Sequence, residues 1–421
     1  MHGVPSPSRR LSEVDVERFV RHQCFAPAQA GRVGAELEWL TVSCADPAAM
    51  VDLHALRAAT TGTGSLSGGS RLTFEPGGQL ELSSAPCSDV GALCAAMEAD
   101  LGVTAQAAAG VGIELVGFGS DPSRVPRRLV GGPRYQAMEA YLRADGGDGV
   151  AMMCSTAALQ VNLDIGLEAT QLGRWRRAQA LGPVLVAAFA NSPFTAGTPN
   201  GLHSRRASIW STIDRSRTAP VDLGGGDPVR AWVGYALAAR TMFVRASAHH
   251  FEPVLPPLPF GQWMDQGHEL GYPTIDDFEY HLSTLFPPVR PRGWLELRRV
   301  ESLPGPWWRA AVAVTTALLD DDDAAEAATR ACVGTGELWT DAARNGLSHP
   351  VLAASAHACF VAALEALPNL GADGATVAST EEFFERFVAR GRCPADDAID
   401  GWRRHGHLEP ASQWEPESPL E

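Results

Sequence analysis

Alternation of apolar and polar residues at a period of two marks several segments as strands, because neighbours along a strand point to opposite faces. In residues 31–42, Ala35, Leu37 and Trp39 alternate with Glu36 and Glu38. Residues 71–86 read as strand, turn and strand. Leu72, Thr73 and Phe74 suit extended chain, Leu80, Glu81, Leu82 and Ser83 alternate, and Pro76-Gly77-Gly78 breaks the two runs. Proline presets one backbone angle there, and glycine permits the positive angles of a tight reversal. In residues 150–164, Leu159, Val161 and Leu163 share one face, and Gln160, Asn162 and Asp164 the other. A last strand carries Leu295 and Leu297 against Glu296 and Arg298, and residues 111–118 form a continuous apolar strand.

Helical periodicity fills much of the remainder. Residues 11–25 carry the stripe Val16, Phe19 and Val20, with Ser12 as N-cap and Asp15 three residues on. Helices follow at 89–109, 172–189, 229–245 and 276–286, the last stopped by Pro287-Pro288. From Pro306 to Trp402 the pattern is helical, over 307–319, 324–332, 350–366 and 380–390, with Ser379 and Glu382 as a capping box for the last. The aspartates 320–323 read as a solvated turn. Residues 120–134 form a loop rich in proline and arginine, and 60–70 a loop of small residues.

The chemistry follows from which polar residues share a strand face. Glu36 and Glu38 are two apart and point the same way. The hairpin brings Glu75, at the foot of its turn, close to Glu81. One such pair alone reads as a solvated edge. If the strands share a sheet, four carboxylates crowd one surface and raise each other's pKa unless positive charge lies between them. Hard divalent cations, Mg²⁺ above all, are bound by oxygens in this manner. Glu296 can join the set, Gln160 and Asn162 add neutral oxygens, and Arg206, Arg217 and Arg298 add fixed positive charge. Residues 201–218 gather five arginines and histidines around Trp210. A solvated basic face is the ordinary explanation. In a chain this acidic, local positive density also suits a small anion.

Composition narrows the classes. A net charge of −15 argues against a nucleic-acid partner. All 34 basic residues are arginine, with no lysine. That excludes a P-loop lysine, a kinase-type lysine and Schiff-base chemistry, and it weighs against an ATP-grasp fold. Any nucleotide must be neutralised by arginine and metal. No run of 18 or more apolar residues suggests a membrane span. The N-terminal residues lack the apolar core of a leader, so a cytoplasmic protein without a membrane partner is expected. Eight cysteines without C-x-x-C spacing suggest reduced core thiols.

The motifs GAELEWL, FEPGGQLELSSAP, QVNLD and HLSTLFPPVRPRGWLELR resemble the glutamate–cysteine ligases of the plant and bacterial type, over residues 30 to 300. The resemblance implies an α+β fold of the glutamine-synthetase/glutamate–cysteine ligase type. In that fold a curved, mainly antiparallel sheet forms a bowl with helices outside. Residues 1–305 would form the catalytic part, 306–405 a helical part packed on the same domain, and 406–421 a disordered tail. The resemblance further implies ATP-dependent joining of the glutamate γ-carboxylate to the amine of cysteine through γ-glutamyl phosphate. Glu36, Glu38, Glu75, Glu81 and Glu296 would hold Mg²⁺. Gln160, Asn162 and Arg298 would meet ATP, and Glu38, Glu75 and Arg298 would be catalytic.

The family's Arg, Trp and Asp-x-x-Arg pattern is matched by Arg206, Trp210, Asp214 and Arg217, and its Arg-Tyr pair by Arg134 and Tyr135. Arg206, Trp210, Arg217, Arg134 and Tyr135 are therefore expected to bind substrate. The chain departs from some relatives at Cys154 or Ser155, where they carry arginine. The MMCSTAALQVNLD strand and the arginine- and alanine-rich composition are most similar to actinobacterial members that feed ergothioneine biosynthesis. A monomer or weak homo-oligomer acting on small molecules is expected. Two alternatives stay open: a ligase of the same fold with another amine acceptor, and a carboxylate-cluster hydrolase or binding protein that uses no ATP.

Overall fold

The computed structural model describes residues 10–224, 226–247 and 249–408. Among these, eleven strands run in chain order: β1 (Val33–Ser43), β2 (Arg71–Phe74), β3 (Leu80–Ser83), β4 (Ile113–Val116), β5 (Ala158–Asp164), β6 (Phe194–Thr195), β7 (Thr198–Pro199), β8 (Phe243–Ser247), β9 (His250–Pro253), β10 (Val289–Pro291) and β11 (Trp294–Glu301). Seven form one sheet in the order β10-β11-β5-β1-β3-β2, with β4 on the far end of β1. Every pairing in it is antiparallel. The fold is α+β, as expected.

The alternating pattern sorts the two faces of this sheet. Leu37, Leu80, Leu82, Leu159, Val161, Leu163, Leu295 and Leu297 are buried and belong to one large apolar cluster. Helices Val90–Ala109, Glu168–Ala188 and Trp307–Asp320 pack against the strands that carry them. That cluster also takes in Phe360, Phe383 and Phe387 from beyond residue 306, so the helical C-terminal part and the sheet share one core. Fully burying a leucine stabilises by about 2 kcal/mol, so this layer fixes the sheet that displays the polar face.

The hairpin turn is built by close approach. Gly78 has a φ of +90°, and a Cβ on Gly77 would collide with the Cys154 carbonyl. The Leu129 and Val130 amides donate to the Pro76 carbonyl, at 2.7 and 2.9 Å, tying the loop before Arg134 to the turn that begins at Glu75.

Several boundaries differ from the expected ones. Ser12 and Asp15 do form the capping box of helix Glu13–Gln23. Residues 150–164 are not one strand. Gly149–Ser155 is a buried helix, and only Ala158–Asp164 is extended, because an apolar run buried all round carries no period to decide its state. The helix expected over 229–245 ends at Ala238 and gives way to β8. The helix expected from Thr380 starts at Gly374 and is capped by Asp373, not by Ser379 with Glu382. Two of the aspartates read as a solvated turn are engaged: Asp320 is buried against Arg174 at 2.6 Å, and Asp321 caps the next helix.

Residues 350–370 form the one stretch, among the described residues, long and apolar enough to cross a membrane. Leu352, Ala356, Phe360 and Ala363 from it are buried in the core. From residue 409 on, the expected tail lies outside the described residues, and so do residues 1–9.

Candidate active site

The strand registers stack the polar residues of the other face in rows. Thr73 lies opposite Glu81, and Glu81 opposite Glu38. One row over, Ser83, Glu36 and Gln160 align. In the next, Gly34, Asn162, Glu296 and Arg290 align. Glu36, Glu38 and Glu81 are thus gathered by register alone. Glu75 joins them from the turn, where its strongest charged neighbours are Glu38 and Glu81.

Four carboxylates this close are electrostatically expensive. Burial, then Glu81, pushes Glu38 up to about 8 against the pull of Arg206 and Arg298. Burial raises Glu75 well above the usual carboxylate range, and Glu38 and Glu81 add to it. Glu36 is raised by burial and by Glu296 and Glu81. Their hydrogen bonds orient them without neutralising them. Glu38 accepts from the Ala158 amide at 2.7 Å. Glu81 accepts from the Thr73 and Ser83 hydroxyls at 2.8 and 2.9 Å. Hard oxygens with raised proton affinity fit a divalent cation, which would take the place of the protons.

Glu296 departs from its expected role. It is fully buried, and both its oxygens are taken by guanidinium groups. Arg290 forks onto it at 2.6 and 3.0 Å, with Arg292 at 3.2 Å and Arg298 at 2.9 Å. Burial opposes its charge, but these arginines hold it well below the usual carboxylate range. It anchors arginines and offers no free oxygen to a metal. Gln160 and Asn162 also differ from expectation, because their amides are spent inside the site. Both donate to Glu36 at 3.1 Å, Gln160 Oε1 accepts from Arg298, and Asn162 Oδ1 accepts from the Trp294 indole at 3.2 Å. They orient Glu36 and Arg298, and only the second N–H of the half-buried Asn162 amide is left for a ligand.

Arg298 stands where the two charge types meet. Burial alone would weaken its charge, and Glu296, Glu36 and Glu38 outweigh that. Arg206 is buried, donates to the Arg298 carbonyl at 3.0 Å, and feels burial first and then Glu38 and Glu301. Glu301, which the sequence reading missed, attracts it through space and fixes its backbone through Ser192. Glu301 is 1% exposed and accepts from the Ser192 and Ser204 hydroxyls. Ser204 caps helix Arg205–Thr212, and Ser192 Oγ accepts the Arg206 amide at 3.0 Å. A carboxylate on the strand five residues beyond Glu296 was the available signal.

Two expected substrate contacts are elsewhere. Arg217 is completely buried, and all five of its N–H donors are used. Nε donates to Asp214 at 2.8 Å, Nη1 to the Thr284 carbonyl and hydroxyl at 2.8 and 3.1 Å, and Nη2 to the Tyr141 hydroxyl at 3.2 Å and to the Arg240 carbonyl. Nothing is left for a ligand, so Arg217 is structural. Trp210 packs edge-on against Phe286 and lines a separate cavity with Arg299, not the carboxylate face.

Arg134 and Tyr135 do lie near the cluster. Tyr135 is raised by burial and then by Glu75. Arg134 stacks on Tyr280 and lines a cleft of about 830 Å³ with Arg245, Arg290, Arg292 and Trp294. Arg290 and Trp294 join this arginine-lined cleft to the carboxylate rows. Their signal was the V-R-P-R run before the last strand, whose arginines face Glu296 once that hairpin closes.

The family model described as glutamate-cysteine ligase family 2 (GCS2) matches residues 32–414. The glutamate–cysteine ligase EgtA of Mycolicibacterium smegmatis is 41% identical over 375 residues, covering 88% of this chain and 87% of that one. The protein of the same name from Mycobacterium tuberculosis is 38% identical over 388 residues, covering 91% and 88%. Among solved structures, the bifunctional glutathione synthetase from Pasteurella multocida superposes with a TM-score of 0.53 at 12% identity. The match covers 95% of this chain and 54% of that longer one, a likeness of fold.

Proposed function

The chain belongs to glutamate–cysteine ligase family 2, and on that premise we propose that it joins the γ-carboxylate of glutamate to the amine of cysteine, driven by ATP. The observation that carries this reading is the cluster of Glu36, Glu38, Glu75 and Glu81, with Glu36, Glu38 and Glu75 raised in proton affinity, beside Arg298 and an arginine-lined cleft.

These four carboxylates would hold Mg²⁺, which would supply positive charge to offset that of the phosphates. A γ-carboxylate oxygen of glutamate attacks the terminal phosphorus, the bond to the leaving ADP breaks, and γ-glutamyl phosphate forms. The cysteine nitrogen then attacks the acyl carbon and loses a proton, and phosphate departs. No protein nucleophile takes part, so the chain contributes positioning and charge.

Arg298 is the group we assign to the transferred phosphoryl. Glu296 and Gln160 hold its guanidinium before any substrate arrives, so little reorganisation is needed as charge moves. Glu296 and Gln160 act as positioning residues, and Arg206 reinforces the positive side. Arg217 being saturated, we assign the α-carboxylate of glutamate to the cleft cations Arg134 and Arg245, whose guanidinium groups both stack on Tyr280. We further read the enzyme as cytoplasmic and as feeding ergothioneine biosynthesis. The support for the pathway is its likeness to two ligases named EgtA.

An ATP-consumption assay tests the reading. Glutamate together with cysteine should release ADP and phosphate and yield γ-glutamylcysteine by mass spectrometry. ADP release that needs glutamate but responds to another amine and not to cysteine would reassign the acceptor. No nucleotide turnover with any amine would overturn the ligase reading.

A further inference from the structure

The last long strand of the sheet carries two consecutive arginines, and a register shift lies between Leu297 and Val300. The shift sends them apart. Arg298 reaches Gln160 and Glu296, while Arg299 reaches the Thr218 carbonyl at 2.9 Å and lies against Trp210 and Trp339, at 5.4 and 5.9 Å from the ring centres. Arg298 has work on the carboxylate face. Arg299 has none there.

Its surroundings are unusual for a buried cation. Arg299 is only 9% exposed, and its Nε–H has no partner among the described residues. The charged groups acting on it most are Arg206 and Arg298, both of its own sign. Burial, with these two arginines, pulls it down to about 9. Buried arginines are ordinarily paired, because an uncompensated buried charge is strongly destabilising. The indole N–H of Trp210, 6% exposed, also has no partner among the described residues.

The two residues line one cavity of about 280 Å³ between helix Arg205–Thr212 and the Trp339–Asn345 helix, and none of the clustered carboxylates reaches it. The exposed Arg215 and Arg344 line it as well, with Glu337 the one carboxylate. Three arginines therefore converge on a pocket walled by two tryptophans. A planar carboxylate matches the guanidinium fork, and its apolar remainder matches indole faces. The cavity is of a size for an amino acid or a small diacid.

We propose that this cavity is a binding site for a small carboxylate anion, separate from the carboxylate face, with Arg299 as its anchoring cation and the Trp210 ring as an apolar wall. It stands independently of which reaction the other face performs. Because Arg298 and Arg299 share one irregular stretch of strand, an occupant would steady the backbone that presents Arg298.

Calorimetric titration of the full chain tests this, with succinate as the probe and inorganic phosphate as the comparison. Succinate should bind saturably at a site that depends on Arg299. Arg299→Met should weaken it at least tenfold, while Arg298→Met leaves it within twofold. The exposed double change R215A/R344A, which removes no buried contact, should weaken it threefold or more even if Arg299→Met folds poorly. Absence of succinate binding would overturn the proposal. Binding kept with Arg299→Met would overturn it too, by moving the probe to the cleft of Arg134 and Arg245 or, where Arg298→Met abolishes it, to the carboxylate face. Phosphate binding that depends on Arg299, without succinate binding, would overturn the carboxylate class.

Discussion

Glu38 and Glu81 stand directly opposite each other across the β1–β3 pair. Like charges facing each other on one side of a sheet are destabilising, by up to about 1 kcal/mol for an exposed pair. A site that keeps such a pair is built for a charge supplied from outside. Glu38→Gln keeps the shape and removes one charge. The variant should lose on the order of a hundredfold or more in turnover at saturating Mg²⁺, as removal of one preorganised electrostatic contact does. In metal-free buffer above about pH 8, where Glu38 is ionised, its melting temperature should equal or exceed that of the unaltered protein, because repulsion is relieved. Wild-type turnover in Glu38→Gln would sink the assignment of this residue.

Arg298 is fixed by Glu296 and Gln160 before substrate binds, which suits a contact that tightens as phosphoryl charge moves. Arg298→Ala should therefore lower kcat more than it raises the KM for ATP. Initial-rate kinetics over a range of ATP concentrations decide it. A raised KM with unchanged kcat would make Arg298 a ground-state binder only.

The carboxylate face could be read from the chain because it rests on local alternation. Glu36, Glu38 and Glu81 alternate with leucines whose burial fixes their direction, and the Pro-Gly-Gly turn fixes where Glu75 falls. What could not be read was who pairs with whom over distance. Glu296 has the same strand pattern as Glu36, and only the closing of the β10–β11 hairpin brings Arg290 against it. Arg217 fits a family motif, yet its partners Tyr141, Arg240 and Thr284 come from three other segments. Residues 150–155 were misread as strand because they are apolar on every side, which hides a helical period.

The saturated environment of Arg217 sets an expectation opposite to that of a substrate ligand. Arg217→Lys keeps the charge and loses the fork, leaving carbonyls and the Asp214 carboxylate short of donors. Breaking up a buried ion pair of this kind costs about 3 kcal/mol or more. Urea unfolding should show that loss, while the folded fraction keeps an unchanged KM for glutamate. A rise in that KM with stability intact would return Arg217 to the substrate site.

His203 joins the segment before helix Arg205–Thr212 to the last described helix, Pro394–His405, and its protonation carries the join. Nδ1 lies 2.8 Å from the Arg344 carbonyl, which can only accept, so that nitrogen bears a proton. Nε2 lies 3.1 Å from Asp396, which is itself held below the usual carboxylate range, burial being outweighed by His203 and the Cys393 amide. With acceptors at both nitrogens the ring favours its charged form. Burial alone would lower its pKa, but Asp396 and the carbonyl raise it above the ordinary 6.5. A pKa higher in the folded than in the unfolded chain contributes stability that is fully present below about pH 6.5 and is lost as pH rises through the folded value. Stability against urea should therefore fall from pH 6 upward through the neutral range. His203→Gln, which cannot titrate, should be less stable than the unaltered protein at pH 6, and the gap should narrow as pH rises. A gap that stays constant over the same range would mean that the ring is neutral throughout and that His203 contributes only packing.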